Sequence, residues 1–371
     1  MTAADAQALG QQVLWAGFAL GLAFGAIAQR TQFCTMGAIA DVVAFGDWTR
    51  MRMWLLAMGV AIAGFNAMVA LGWVDAGKSL YGGARWMWLS ALSGGLMFGA
   101  GMVLASGCGS KTLVRLGGGS LKALVVALVI AASGFATLKG LSAVVRAASV
   151  DAVYVALPAS QDLPSLAAQA LGGSVPVYAL VLGLALGGGL IAAVLAQRAG
   201  REAPTLLAGL GIGATVVGAW WVSGRLGFVA EDPATLQEAF VATNSRRMEA
   251  LSFVAPLAYT LDWLLFFSDA SKLLTLGIVS CVGVVCGSAL QALAARTFRW
   301  EGFRGVEDTA NHLAGGVLMG VGGVTATGCT IGQGLSGVST LGLTSFVALG
   351  AIVAGAVAAL RYQAWRVERA G

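Results

Sequence analysis

Five stretches of about twenty residues, Met53–Trp73, Trp86–Ala105, Pro176–Ala196, Pro204–Val222 and Leu341–Leu360, hold no charged side chain. That length matches the hydrocarbon core of a bilayer, which takes about 20 residues per helix. Backbone polar groups in lipid must be satisfied within the segment, so such runs fold as helices. The rest of the chain conforms. Its 371 residues are 58% hydrophobic and 11% charged, against about 25% charged in a soluble domain. Mean hydropathy is +0.83. The fold class is therefore all-α: a polytopic helical membrane protein, one integral membrane domain over 1–371.

The apolar pattern predicts nine spans: Val13–Ala28, Met53–Trp73, Trp86–Ala105, Leu121–Val145, Pro176–Ala196, Pro204–Val222, Lys272–Leu293, Asn311–Thr327 and Leu341–Leu360. Val254–Phe267 is apolar too, but Pro256 and Asp262 mark it as re-entrant or interfacial. Leu163–Leu171, with Pro164 at its start, reads as a short amphipathic surface helix. Trp48, Trp54, Trp73, Trp86 and Trp88 stand at span ends, as in an aromatic belt.

The basic loops follow odd-numbered spans: Arg50 and Arg52; Lys111, Arg115 and Lys122; Arg198 and Arg201; Arg296, Arg299 and Arg304; and the tail. The positive-inside rule then puts the N-terminus in the periplasm and the C-terminus in the cytoplasm. The start of the chain has no basic n-region, so no cleaved signal peptide is expected.

A glycine-paved segment recurs. Ser93–Lys111 and Ala314–Gly332 coincide at a shift of 221 positions, pairing Gly94/Gly315, Gly95/Gly316, Gly99/Gly320, Gly101/Gly322, Gly107/Gly328 and Cys108/Cys329. A shift of 74 carries Cys108 onto Cys34, Gly95 onto Gly21 and Gly99 onto Gly25. The Cys108 and Cys329 units close spans of opposite direction, so they form a pseudo-two-fold inverted repeat, with halves about 1–150 and 176–371. A tenth span at Val254–Phe267 would make them parallel instead.

Short glycine-bounded stretches follow Cys34, Cys108 and Cys329, too short to cross. They read as re-entrant half-helices. A restarting helix leaves free N–H groups and a partial positive charge at its N-terminus, a ready anion site. Gly107, Gly109, Gly328 and Gly332 let the backbone approach a ligand, Ser110 and Thr330 add hydroxyls, and Lys111 adds charge. A neutral thiol is a weak donor with a soft, polarizable sulfur. A row of thiols suits a small anion that itself ends in sulfur, and several weak stations favour passage over trapping.

Free cysteine is also simply a small hydrophobe. That reading suits Cys281 and Cys286, which sit inside an unbroken run, and close helix packing suits Gly21/Gly25, Gly95/Gly99 and Gly283/Gly287. Packing does not explain one cysteine offset used three times.

Other chemistry has little support. The cysteine number is odd and no Cys-x-x-Cys occurs. His312 is the only histidine, so no histidine-based metal cluster exists, and it reads as interfacial or capping. There is no phosphate loop and no nucleic-acid patch. No cofactor is expected. Asp262 is a functional candidate or an interfacial carboxylate; Lys139 is expected only to snorkel; Arg30 and Asp41 are placed to pair.

Three blocks carry a family resemblance: Gln29–Cys34 with Asp41, Ala105–Cys108 with Leu113 and Arg115, and Gly328–Gly332 with Gly334. Together they resemble the YeeE/YedE family, whose characterised members are thiosulfate transporters. The resemblance implies an hourglass-shaped transporter of nine spans plus half-helices, with Cys34, Cys108 and Cys329 relaying thiosulfate by thiol hydrogen bonds. It also implies a TusA-like cytoplasmic sulfur carrier as partner. The chain departs from the family where Ser106 and Thr327 replace a glycine before Gly-Cys.

The leading expectation is thus uptake of thiosulfate, or a related small sulfur anion, across the bacterial inner membrane, not enzymatic catalysis. Two rivals stand beside it: a membrane sulfurtransferase forming a cysteine persulfide, and a channel for another small solute.

Overall fold

The computed structural model describes residues 3–232, 235–269 and 271–370. Helix α1 (Ala3–Thr31) is followed by the short α2 (Thr35–Phe45) and then by α3 (Thr49–Ala70). Helix α4 (Trp88–Leu104) has the same sequel, the short α5 (Gly109–Gly117) and then α6 (Leu121–Lys139). Helices α7 (Leu141–Ala148) and α8 (Leu163–Leu171) lead to α9 (Val175–Leu182), which continues through a π-helical turn at Gly183–Gly188 into α10 (Gly189–Leu195). Helices α11 (Ala203–Trp221), α12 (Ala255–Leu265) and α13 (Leu276–Ala294) come next. Helix α14 (Val306–Thr325), a π-helical turn at Gly332–Gly337 and α15 (Leu343–Ala370) complete the order. Two pairs of two-residue antiparallel strands, Arg85–Trp86 with Val155–Ala156 and Phe228–Val229 with Ala239–Phe240, pin loops together.

Among the described residues, eight helices are long and apolar enough to cross a membrane. The eighth predicted span, Asn311–Thr327, is not among them; it lies in α14, whose first turn carries Glu307 and Asp308 and dilutes its apolar character. Even so, α14 packs against α4 and α6. The predicted span Leu121–Val145 breaks at Gly140, whose extended backbone ends α6 and starts α7. The Val254–Phe267 piece is an 11-residue helix, α12, too short to cross. The surface helix α8 forms as expected, capped by the Asp162 carboxylate accepting from the Ser165 amide at 2.9 Å.

Glycine fixes how the long helices meet. Gly21 and Gly25 lie against the Ser280 and Val284 backbone, and Gly283 and Gly287 against Phe18 and Leu22, with no room for a Cβ. Helices α1 and α13 therefore run parallel at backbone contact. Gly95 and Gly99 sit likewise on Ala348 and Ile352, making α4 and α15 parallel. Packing is thus the role of these glycines, as small-xxx-small spacing predicts. By contrast, Gly94 meets Gly322 and Ala326 while Gly101 meets Gly315 and Met319, so α4 and α14 are antiparallel.

The two ends of the bundle differ in charge. At one, Lys122 pairs with Glu301 at 3.2 Å, Arg52 donates to Gln197 at 2.7 Å and Arg366 pairs with Glu307 at 3.1 Å, drawing the arginine-rich loops together. At the other, Gln161 donates to the Tyr81 carbonyl at 2.8 Å and accepts from the Thr344 amide at 3.1 Å.

Several polar expectations change. Lys139 does not merely snorkel: it lies 2.7 Å from Asp262, which Lys272 also approaches at 2.9 Å, so this carboxylate ties α6 and α12 to the approach to α13. Asp41 pairs with Arg50 at 2.5 Å rather than with Arg30, because Arg50 starts α3 directly beside α2. His312 meets Phe303 edge-on and turns back on its own helix, 2.7 Å from the Asp308 carbonyl and 3.0 Å from the Asp308 carboxylate. Trp54 is 5% exposed and packs beside Gly334, so it is core and not belt, whereas Trp48 and Trp73 are half exposed.

Candidate functional site

The three cysteine turns share one backbone design. Each preceding helix ends in a left-handed residue two positions before the cysteine: Gln32 (φ 54°), Ser106 (φ 54°) and Thr327 (φ 55°). The next amide then reaches back five residues, from Phe33 to Ala28 at 3.2 Å, Gly107 to Met102 at 2.8 Å and Gly328 to Gly323 at 2.8 Å. This is a Schellman closure, which normally places glycine at the left-handed position. The two departures from the family pattern, Ser106 and Thr327, fall at that strained position, and Gln32 is the third residue there.

Cysteine then opens the next helical piece. Cys34 is the N-cap of α2 and Cys108 of α5, while Cys329 stands three residues before the π-helical turn. The Cys34 sulfur accepts from the Gly37 amide at 3.3 Å, and the Cys329 sulfur from the Gly332 amide at 3.4 Å. Cys108 interacts with the amide of Lys111, again three positions on, and lies 3.2 Å from the Ser110 hydroxyl. The Gly37 and Gly332 amides are therefore occupied by sulfur and not left open to solvent. With an acceptor pair on sulfur filled, the S–H proton is left to donate elsewhere.

The turns converge. Cys34 and Cys108 interact directly through their side chains, Thr330 approaches the Cys108 thiol, and Cys329 lies near enough to Cys108 to interact with it. All three cysteines are buried, at 6%, 0% and 0% exposure. The Thr35 hydroxyl is buried without a hydrogen-bond partner, and the Thr330 hydroxyl has no partner besides the Cys108 thiol that it approaches. Such groups cost about 1–3 kcal/mol when left unsatisfied, so they mark a place for a polar visitor. Gly107 and Gly328 lie between the left-handed residue and the cysteine, and Gly109 begins α5. A side chain at Gly332 would collide with the Ser252 hydroxyl.

Lys111, in the first turn of α5, is only 9% exposed. Its ammonium donates to the neutral Gln32 amide oxygen at 2.9 Å, and no carboxylate pairs with it among the described residues. It sits near enough to Cys34 and Cys108 to act on both. Two recesses flank this layer. One, of about 390 Å³, is lined by Tyr81, Gln161, Arg247, Thr327 and Thr344. The other, of about 1000 Å³, is lined by Arg30, Gln32, Lys111, Arg115, Arg296 and Arg299. Tyr81 lines the first recess, and its hydroxyl lies beside Gly332, whose amide meets the Cys329 sulfur.

Sequence reasoning found the three cysteines but missed Gln32, Tyr81, Arg247 and Gln333. Gln32 shares its offset from cysteine with Ser106 and Thr327, a signal that was present; Tyr81 and Arg247 lie in loops with no periodicity to read.

A family model described as sulphur transport matches residues 30–358, which include all three turns. The chain belongs to this family. Sulphur transport is thus the setting in which the buried thiols and the paired recesses are to be understood, and the YeeE/YedE resemblance of the three blocks holds. Within the sulphur transport family the chain is 27% identical over 328 residues to Thiosulfate transporter TsuA of Escherichia coli K12, covering 87% of each chain. It is 28% identical over 353 residues to Thiosulfate transporter TsuA of Spirochaeta thermophila, covering 91% of this chain and 94% of that one. A shorter match, 30% over 108 residues, joins it to Probable transporter YedE of E. coli K12, covering 29% and 25% of the two chains.

Proposed function

We propose that the protein takes up thiosulfate, or a closely related small anion ending in sulfur, across the bacterial cytoplasmic membrane. The observation that carries this reading is the convergence of three buried thiols from three like-built turns between two recesses that each hold arginine. In this reading the short pieces after the cysteines are re-entrant half-helices, and the antiparallel α4 and α14 are equivalents in an inverted repeat. The arginine-rich end faces the cytoplasm.

The neighbours of the three cysteines support one order of stations. An anion enters the recess at Arg247 and Tyr81 and reaches Cys329, whose turn Tyr81 adjoins. It passes to Cys108 and Cys34, where Lys111 balances its charge, and leaves into the recess lined by Arg30 and Arg115. The thiols donate S–H bonds to the sulfur end, while the Thr35, Ser110 and Thr330 hydroxyls meet the oxyanion end. Each bond is weak, so no station holds the cargo long.

The test is uptake of labelled thiosulfate by proteoliposomes, together with thiosulfate-dependent growth of a sulfur-auxotrophic host. Intact anion inside the vesicle supports transport. Label retained covalently on cysteine, with none in the lumen, would replace this reading by a persulfide-forming sulfurtransferase.

A further inference from the structure

Gln32 and Lys111 come from different cysteine turns, two residues before Cys34 and three after Cys108, and they meet on the floor of the arginine-lined recess. Gln32 is exposed to that recess, while Lys111 is largely buried. Both residues line the recess, and Lys111 also adjoins Cys34 and Cys108, so the contact stands between the recess and the thiols. Gln32 is held in place from both sides: its amide nitrogen donates to the Gln29 carbonyl at 2.8 Å and its oxygen accepts from Lys111 at 2.9 Å.

We propose that Gln32 is the exit residue of the pathway, a neutral placeholder that keeps Lys111 at the thiols until an anion takes the ammonium from it. The chemistry of the pair is the reason. A buried ammonium is poorly satisfied by one amide oxygen, and an anionic acceptor adds a Coulomb attraction that the neutral amide lacks. A dianion arriving beside Cys34 and Cys108 outcompetes Gln32 for Lys111. The amide then swings into the recess it already faces, and the anion follows toward Arg30 and Arg115. An occupied thiol layer thus opens its own exit, while an empty one stays shut. A glutamate at this position would not serve, since its charge would hold Lys111 against the cargo.

This inference rests on the transport reading, and the experiment separates the two. Wild-type protein, Gln32→Glu and Gln32→Gly are reconstituted and their maximal rate and half-saturation for labelled thiosulfate are measured, with thermal melting in detergent as a control. If wild-type vesicles take up no thiosulfate, the transport reading itself fails. If they do, Gln32→Glu is expected to lower the maximal rate by at least about tenfold, because an ion pair replaces the neutral contact. Gln32→Gly suits the left-handed backbone at φ 54° without strain. It is expected to raise the maximal rate by at least about tenfold, the equivalent of one hydrogen bond to a charged group. A Gln32→Glu variant that transports at the wild-type rate would overturn the inference. So would a Gln32→Gly variant that melts like wild type yet is no faster or is inactive, because a purely structural glutamine would move melting and not rate.

Discussion

The Gln333 side chain donates to the Thr327 hydroxyl at 2.7 Å, so a residue four positions after Cys329 steadies the left-handed residue two positions before it. The same amide nitrogen also reaches the Ala326 carbonyl at 2.5 Å. A β-branched residue in that conformation costs about 1–2 kcal/mol, and a hydrogen bond returns about 0.5–1.5 kcal/mol. Thr327→Val keeps the strain and loses the bond, so it should destabilise the protein by about 1–2 kcal/mol. Thr327→Gly loses both and should stay within about 1 kcal/mol of wild type. Denaturant titration in detergent ranks the two; a valine variant as stable as wild type would show that the turn does not depend on this contact.

The five cysteines divide by position. Cys34, Cys108 and Cys329 meet in the buried layer, whereas Cys281 and Cys286 lie within the continuous α13. Alanine at any of the first three should abolish thiosulfate-dependent growth. Alanine at Cys281 or Cys286 removes only a small packing group and should leave uptake within about twofold. Uptake that survives Cys108→Ala would count against the relay.

The start of α2 is clamped from outside. Arg50 donates to both Asp41 oxygens, at 2.5 and 2.7 Å, and its guanidinium lies beside Gly37, whose amide meets Cys34. Asp41→Leu frees this guanidinium and should cost about 1.5–3 kcal/mol, the range for hydrogen bonds to charged groups. It should also lower thiosulfate affinity, because the Cys34 turn loses its brace. Parallel melting and uptake curves check both parts; unchanged affinity would mean that the brace is dispensable for the thiol.

Acid should loosen the basic end. The hydrogen bond from Lys122 holds the Glu301 carboxyl below the usual glutamate range. A depressed carboxyl contributes stability that is present above its unfolded value, about 4.3, and is lost as pH falls through its folded value. Melting temperature should therefore drop between about pH 5 and pH 3. Lys122→Gln should flatten that drop. An identical acid profile in the variant would show that other carboxylates set it.

Much of this was legible in the chain itself. Uncharged runs such as Leu341–Leu360 can only be helices in lipid, and glycines at four-residue spacing, Gly21 and Gly25 among them, mark where helices touch. The repeated cysteine offset singled out Cys34, Cys108 and Cys329, because repetition at a fixed distance from a helix break has no packing cause. Both signals are local, carried by residues a few positions apart. Tertiary structure alone decided that Asp41 takes Arg50, that Asp262 takes two lysines, and that Lys111 leans on Gln32, 79 positions earlier. Those pairings depend on which helix ends come to lie side by side, and a long charged side chain takes whichever partner the assembled bundle brings within reach.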